Sequence, residues 1–115
     1  MRIVVIDDTP LVASVVAEAL QSEGHYVVVA GSGEEGVRAI EENRPDAVFL
    51  DVVMPGMDGI EVLRRIRARV PDLQVIILTG WASDRQIDEA RRLGVTDVIS
   101  KPATLQNLTR ALARS

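Results

Sequence analysis

The sequence contains no cysteine, which excludes a disulfide framework and any thiolate metal site and fits a reducing, cytoplasmic setting. No apolar run approaches the roughly 20 residues a membrane-spanning helix needs, and Met1-Arg2 leads straight into a strand-like run rather than a targeting segment. Neither a membrane location nor secretion is expected. Histidine occurs once, as His25, in a turn between a helix-like and a strand-like run, where a surface role outweighs one as phosphodonor or metal ligand. Excess positive charge is also missing: the net charge is -4, which argues against general polyanion binding, so no direct nucleic-acid contact is expected of this domain. What the chain does have is 115 residues, 47% hydrophobic and 26% charged, enough for one globular domain over residues 1–115 and too few for two.

Strand-like and helix-like runs alternate along the whole chain. Arg2 to Ile6 reads as a strand buried on both faces. Thr9 as cap and Pro10 at the first helical position then open a helix whose apolar face is read as Leu11, Val12, Val15, Val16, Ala19 and Leu20, closing at Gly24. Tyr26 to Ala30 is the second strand, and Ser32 with Glu35 forms an S-x-x-E capping box for a helix burying Val37 and Ile40. Ala47 to Leu50 is the third strand. The next helix carries Ile60, Leu63, Ile66 and Val70 on one side, with Arg64, Arg65, Arg67 and Arg69 read as a solvated face. Leu73 to Leu78 is the fourth strand, and Thr79 begins a loop. Ser83 or Asp84 caps a helix that buries Ile87, Ala90 and Leu93 and ends at Gly94. Val95 to Ile99 is the fifth strand, and a last helix presents Leu105, Leu108 and Leu112. Repeated β-α units of this kind imply an α/β fold: a five-stranded parallel sheet, doubly wound, in the flavodoxin-like order 2-1-3-4-5, with five helices.

In such a fold ligands bind beyond the carboxyl ends of the strands. Asp7, Asp8, Asp51, Thr79 and Lys101 all fall at that edge. Three carboxylates there repel one another unless a cation sits among them, and oxygen ligands without cysteine or histidine favour magnesium, with Asp7 and Asp8 as its holders. Asp51, between an apolar strand and a Pro-Gly turn, is then placed to attack a phosphoryl group in line, with the Lys101 ammonium and the Thr79 hydroxyl contacting phosphoryl oxygens. A competing motif, Gly31-Ser32-Gly33-Glu34-Glu35-Gly36, matches G-x-G-x-x-G. Glu34 and Glu35 would put two negative charges where a pyrophosphate must sit, and the capped helix already accounts for the segment, so no dinucleotide is expected.

Ile6-Asp7-Asp8, Asp51-x-x-Met54-Pro55-Gly56-Met57-Asp58-Gly59, Leu78-Thr79-Gly80 and Ser100-Lys101-Pro102 together resemble the receiver domains of two-component response regulators, over essentially the whole chain. That resemblance implies Asp51 as phosphoacceptor and Asp7 and Asp8 as the acidic metal pair. It adds the Val53 backbone carbonyl to the magnesium ligands, makes Thr79 the switch hydroxyl and Lys101 the phosphate-contacting base, and suggests a cis Lys101-Pro102 bond. It implies a sensor histidine kinase or histidine phosphotransfer protein as donor, self-catalysed phosphotransfer and autodephosphorylation rather than enzymatic turnover, and an effector protein or output domain engaged through the fourth helix, fifth strand and fifth helix. That face includes Arg85, Arg91, Arg92 and Arg110, and a homodimer is one arrangement it allows. Both a stand-alone receiver and a piece of a longer regulator or hybrid kinase fit the sequence. Val98 stands where such receivers usually carry Tyr or Phe, so a conformational signal would run through Thr79 and the adjoining loop. Trp81, the only tryptophan, is expected with Val53 to screen the phosphoryl group from water, or else to serve a partner surface. Two other readings are a small magnesium-dependent phosphatase, for which the chain has no insertion long enough to form a cap, and a receiver that binds partners without phosphorylation.

Overall fold

The computed structural model describes residues 1–53, 58–80, 82–101 and 104–113. Five strands, β1 (Arg2–Ile6), β2 (Tyr26–Ala30), β3 (Ala47–Leu50), β4 (Gln74–Thr79) and β5 (Asp97–Ser100), alternate with helices α1 (Pro10–Ser22), α2 (Gly33–Asn43), α3 (Gly59–Arg69), α4 (Asp84–Arg92) and α5 (Leu105–Ala113). The strands form one sheet in the order β2-β1-β3-β4-β5, and every neighbouring pair is parallel. The doubly wound architecture expected from the alternation is the one observed.

Because successive strand residues face opposite ways, the sheet feeds two cores. Ile3, Val5, Ala47, Phe49, Ile76 and Leu78 pack against Ala13, Val16 and Leu20 of α1 and Leu108, Ala111 and Leu112 of α5. Val4, Ile6, Val48, Leu50, Val75 and Ile77 pack against α2, α3 and Ala90 of α4. Close approach requires glycine at two places. A Cβ on Gly36 would lie 2.4 Å from Ile6 Cδ1, and one on Gly59 would lie 2.2 Å from Val52 Cα.

Several details differ from the sequence reading. Leu11 and Val15 are exposed, at 75% and 56%, while Ala13 and Ala17 are buried in their place. Small side chains let α1 lie close to the sheet, and its apolar residues run round too much of its circumference for periodicity to choose the inner face. The Thr9 side chain makes no cap bond; instead its N–H donates to Asp7 Oδ1 at 2.9 Å. The Ser32 box is only half reciprocal: Glu35 N–H donates to Ser32 Oγ, but the Glu35 carboxylate accepts from Gly31 N–H rather than from Ser32. The Gly31 and Glu35 N–H groups are thereby occupied, and Gly36 is accounted for by its close approach to Ile6. Leu105 is exposed, Ile87 and Leu93 are half-buried, and Thr79 closes β4 instead of opening a loop. β5 begins at Asp97, because Val95 N–H still bonds back to Ala90 O.

Arg67 is the largest departure. Its guanidinium leaves the solvated arginine face and donates to four carbonyls: Leu93 at 2.7 Å, Gly94 at 2.8 Å, Leu73 and Pro71. Burial lowers its pKa and Asp72 opposes that shift, but an arginine stays charged throughout. One side chain thus ties the end of α3 to the end of α4 and the entry to β4. At the end of α2, Arg44 adopts a left-handed conformation with φ 47°, a position usually held by glycine.

Candidate functional site: an acidic cluster bridged by a lysine

The ladder hydrogen bonds carry the strand ends into the site. Asp7 N–H donates to Ala30 O and Asp51 N–H to Ile6 O, each about one residue beyond its strand, and Lys101 N–H donates to Thr79 O at 2.9 Å. Five residues scattered from Asp7 to Lys101 are therefore fixed at one edge by backbone geometry. Asp7, Asp51 and Thr79 are buried, at 2%, 5% and 4% exposure, and Asp8 is half-buried.

Lys101 is the only lysine in the chain, and its Nζ bridges Asp7 Oδ2 at 2.7 Å and Asp51 Oδ2 at 2.9 Å. The expected cation among the carboxylates is thus supplied in part by the protein itself. Burial works against the Lys101 charge, but the hydrogen bonds to Asp7 and Asp51 and their negative charges outweigh it, so its pKa is raised above the ordinary lysine value. The second carboxylate oxygens are held too: Asp7 Oδ1 accepts from Thr9 N–H and Asp51 Oδ1 from Val53 N–H, both at 2.9 Å. These short-range turns fix the plane of each carboxylate. The signal for the lysine bridge in the sequence is only the shared strand-end position, and the pairing of Lys101 with Asp7 adds to its expected contact with a phosphoryl oxygen.

Asp7, Asp8 and Asp51 each bring a carboxylate oxygen within 4.8 Å of the others. An oxygen-only set of this density suits a hard divalent cation, and the residues present could hold magnesium. Across the site the buried Thr79 Oγ1 has no hydrogen-bond partner among the described residues. A buried hydroxyl left unpaired costs on the order of 1–3 kcal/mol, so it marks a place where an acceptor atom from a ligand would be welcome. Val53 is 42% exposed beside Asp51, and Val98 is half-buried against the core shared with α2 and α3. The expectations for Trp81, for the Lys101-Pro102 bond and for Met54 to Met57 lie outside the described residues. Arg85, Arg91, Arg92 and Arg110 are all exposed, as expected for residues on an accessible face. Among the described residues, no helix is long and apolar enough to cross a membrane.

Comparison with known proteins agrees with this geometry. The family described as the response regulator receiver domain matches residues 3–113. The probable transcriptional regulatory protein TcrX of Mycobacterium tuberculosis is 38% identical over 119 residues, covering 99% of this chain and 50% of its own. The transcriptional regulatory protein AfsQ1 of Streptomyces coelicolor is 38% identical over 87% of this chain and 44% of its own. The chain spans about half the length of the curated relatives it matches. Among solved structures, a CheY-like receiver domain protein from Methanospirillum hungatei superposes with a TM-score of 0.93 at 27% identity, covering 97% of this chain and 90% of that one. The receiver domain of NtrX from Brucella abortus gives 0.88 at 33% identity, covering 98% and 99%. On the family match, the strand order and the curated relatives alike, this chain belongs to the response regulator receiver domains of two-component systems.

Proposed function

We propose that residues 1–115 form a single phosphoacceptor unit in which Asp51 accepts a phosphoryl group from the phosphohistidine of a sensor kinase or phosphotransfer protein in the cytoplasm. The Asp51 Oδ2 oxygen attacks phosphorus, the bond to the donor imidazole breaks, and the imidazole nitrogen keeps the electron pair. Lys101 then exchanges one carboxylate partner for a phosphoryl oxygen, and the Thr79 hydroxyl donates to another. Asp7, Asp8, Asp51 and the Val53 carbonyl would hold magnesium, whose charge offsets that of the phosphoryl oxygens when bound. Asp7 and Asp8 act here as metal holders, not as acid or base.

The observation that carries this reading is the unpaired, buried Thr79 Oγ1 opposite a carboxylate already aligned by Lys101 at 2.9 Å. An unpaired hydroxyl at the end of β4 and an ammonium already on the Asp51 carboxylate offer two donors, at the same strand edge, to the oxygens of a tetrahedral anion. With Val98 in place of an aromatic ring, the altered charge at Asp51 is passed on through movement of Thr79 and its loop to the α4-β5-α5 face, where an effector or a second copy binds.

The test is incubation with magnesium and acetyl phosphate beside Asp51→Asn, read by intact mass. One phosphoryl adduct on the parent and none on the variant is the expected result. Equal adducts on both proteins would move the acceptor elsewhere, and no adduct on either, with magnesium binding demonstrated, would leave a receiver that works by binding alone.

A further inference from the structure

At the opposite edge of the sheet from Asp51, the ends of α2 and α3 enclose a recess of about 520 Å³ lined by Ile40, Glu41, Arg44, Pro45, Arg69, Val70 and Leu73. This volume lies within the roughly 300–1,000 Å³ typical of small-molecule sites, which are mostly apolar with a few polar groups. Ile40 and Leu73 form a buried floor, at 3% and 6% exposure, and Val70 and Pro45 are half-buried beside it. The charges at the mouth do not balance. Arg69 pairs with Glu41, whereas the Arg44 side chain makes no ion pair or hydrogen bond to any described residue. Arg44 also sits at φ 47° and ψ 62°, a backbone conformation in which a side chain is a burden and glycine would be at ease. The left-handed backbone closes α2 through the Arg44 N–H bond to Ile40 O, but that bond asks nothing of the side chain, which leaves a long unpaired cation at the rim of an apolar recess.

We infer that this recess binds a small apolar anion, a carboxylate or sulfonate whose aromatic or aliphatic body lies on Ile40, Val70 and Leu73 and whose acid group meets the Arg44 guanidinium. The planar fork of arginine suits such an acid group in a two-point contact. The neutral Arg69–Glu41 pair lines the mouth without competing for that charge. Because the four-residue strand β3 separates the recess from Asp51, by roughly 13 Å at about 3.3 Å per residue, occupancy involves none of the residues assigned to phosphoryl transfer. The inference is independent of the function proposed above.

The probe is 1-naphthoate, titrated into the folded chain and followed by amide chemical shifts, with the uncharged 1-naphthalenemethanol as control. Saturable shifts at Ile40, Val70 and Leu73 are expected with naphthoate, and binding at least about tenfold weaker with the alcohol, as for loss of a charge-assisted contact. Arg44→Gly is the decisive variant because it removes the guanidinium while relieving the backbone, so thermal melting should show a fold at least as stable as the parent. Weakening of naphthoate binding by about tenfold or more in that variant supports the site. Undiminished binding by Arg44→Gly, equal binding of acid and alcohol, or shifts confined to another surface would each overturn it. Val70→Trp, which fills the recess without touching charge, should abolish the shifts at Ile40 and Leu73.

Discussion

The central strands β1 and β3 with α3 and the closing α4-β5 unit obey the same topology but are held together differently. All of β3 is buried, and α3 buries Ile60, Val62, Leu63 and Ile66. In contrast, α4 buries only Ala90 and β5 only Ile99. Polar contacts replace the missing apolar area. Ser83 and Gln86 form a reciprocal capping box, Arg64 reaches Glu89 at 2.9 Å, and Arg67 grips the carbonyls of Leu93 and Gly94. Apolar burial stabilises in proportion to area, whereas a few hydrogen bonds can be released one at a time. An element fastened this way opens locally at lower free energy than the core does, which suits the responding face proposed above.

Breaking the comparison from the core side has the largest effect. Leu63, fully buried, should cost about 2–5 kcal/mol as Leu63→Ala, and the loss should appear as a lower urea midpoint reported alike by all probes. Arg67→Met removes the clamp but keeps apolar length, and about 1.5–3 kcal/mol is expected, since hydrogen bonds from a charged donor are lost. Here hydrogen exchange should quicken first at Leu93 to Val98, and uniform quickening across the sheet would refute the contrast. Ser83→Ala should cost about 1 kcal/mol, with faster exchange confined to the first turn of α4.

The pH dependence tests the seam between the two regions, because Lys101 comes from the closing unit while Asp7 and Asp51 come from the first. Its folded pKa lies above its unfolded value. The associated stability is therefore fully present below the ordinary lysine pKa and is lost as pH rises through the raised one. Urea midpoints measured over that alkaline window should fall in the parent relative to Lys101→Met, in which this titration is absent. Parallel curves for the two proteins would show that the bridge adds nothing to folding.

The strand alternation, the sheet order and the gathering of Asp7, Asp8, Asp51, Thr79 and Lys101 at one edge were legible because each follows from local pattern plus the rules of parallel connection. Helix ends marked by Gly24 and Gly94 were legible too, both at positive φ. What stayed hidden depended on tertiary neighbours. Nothing local distinguishes Arg67 from Arg64, Arg65 or Arg69, since its partners Leu93 and Gly94 lie 26 and 27 residues on. The buried side of α1 depended on how near the helix comes to the sheet, a distance set by Ala13 and Ala17. The pairing of Lys101 with Asp7, 94 residues apart, needed the register of four strands, β1, β3, β4 and β5, at once.

A single lysine placed between two carboxylates also gives the molecule one amine side chain whose chemistry depends on the state of its centre. Acylating reagents attack the free amine, and the ammonium bridged to Asp7 and Asp51 offers very little of it at neutral pH. The rate at which Lys101 is acylated becomes a readout built into the chain, slow while both carboxylates hold it and faster once a partner is drawn away. No introduced label is required, and the twelve arginines stay silent to such a reagent.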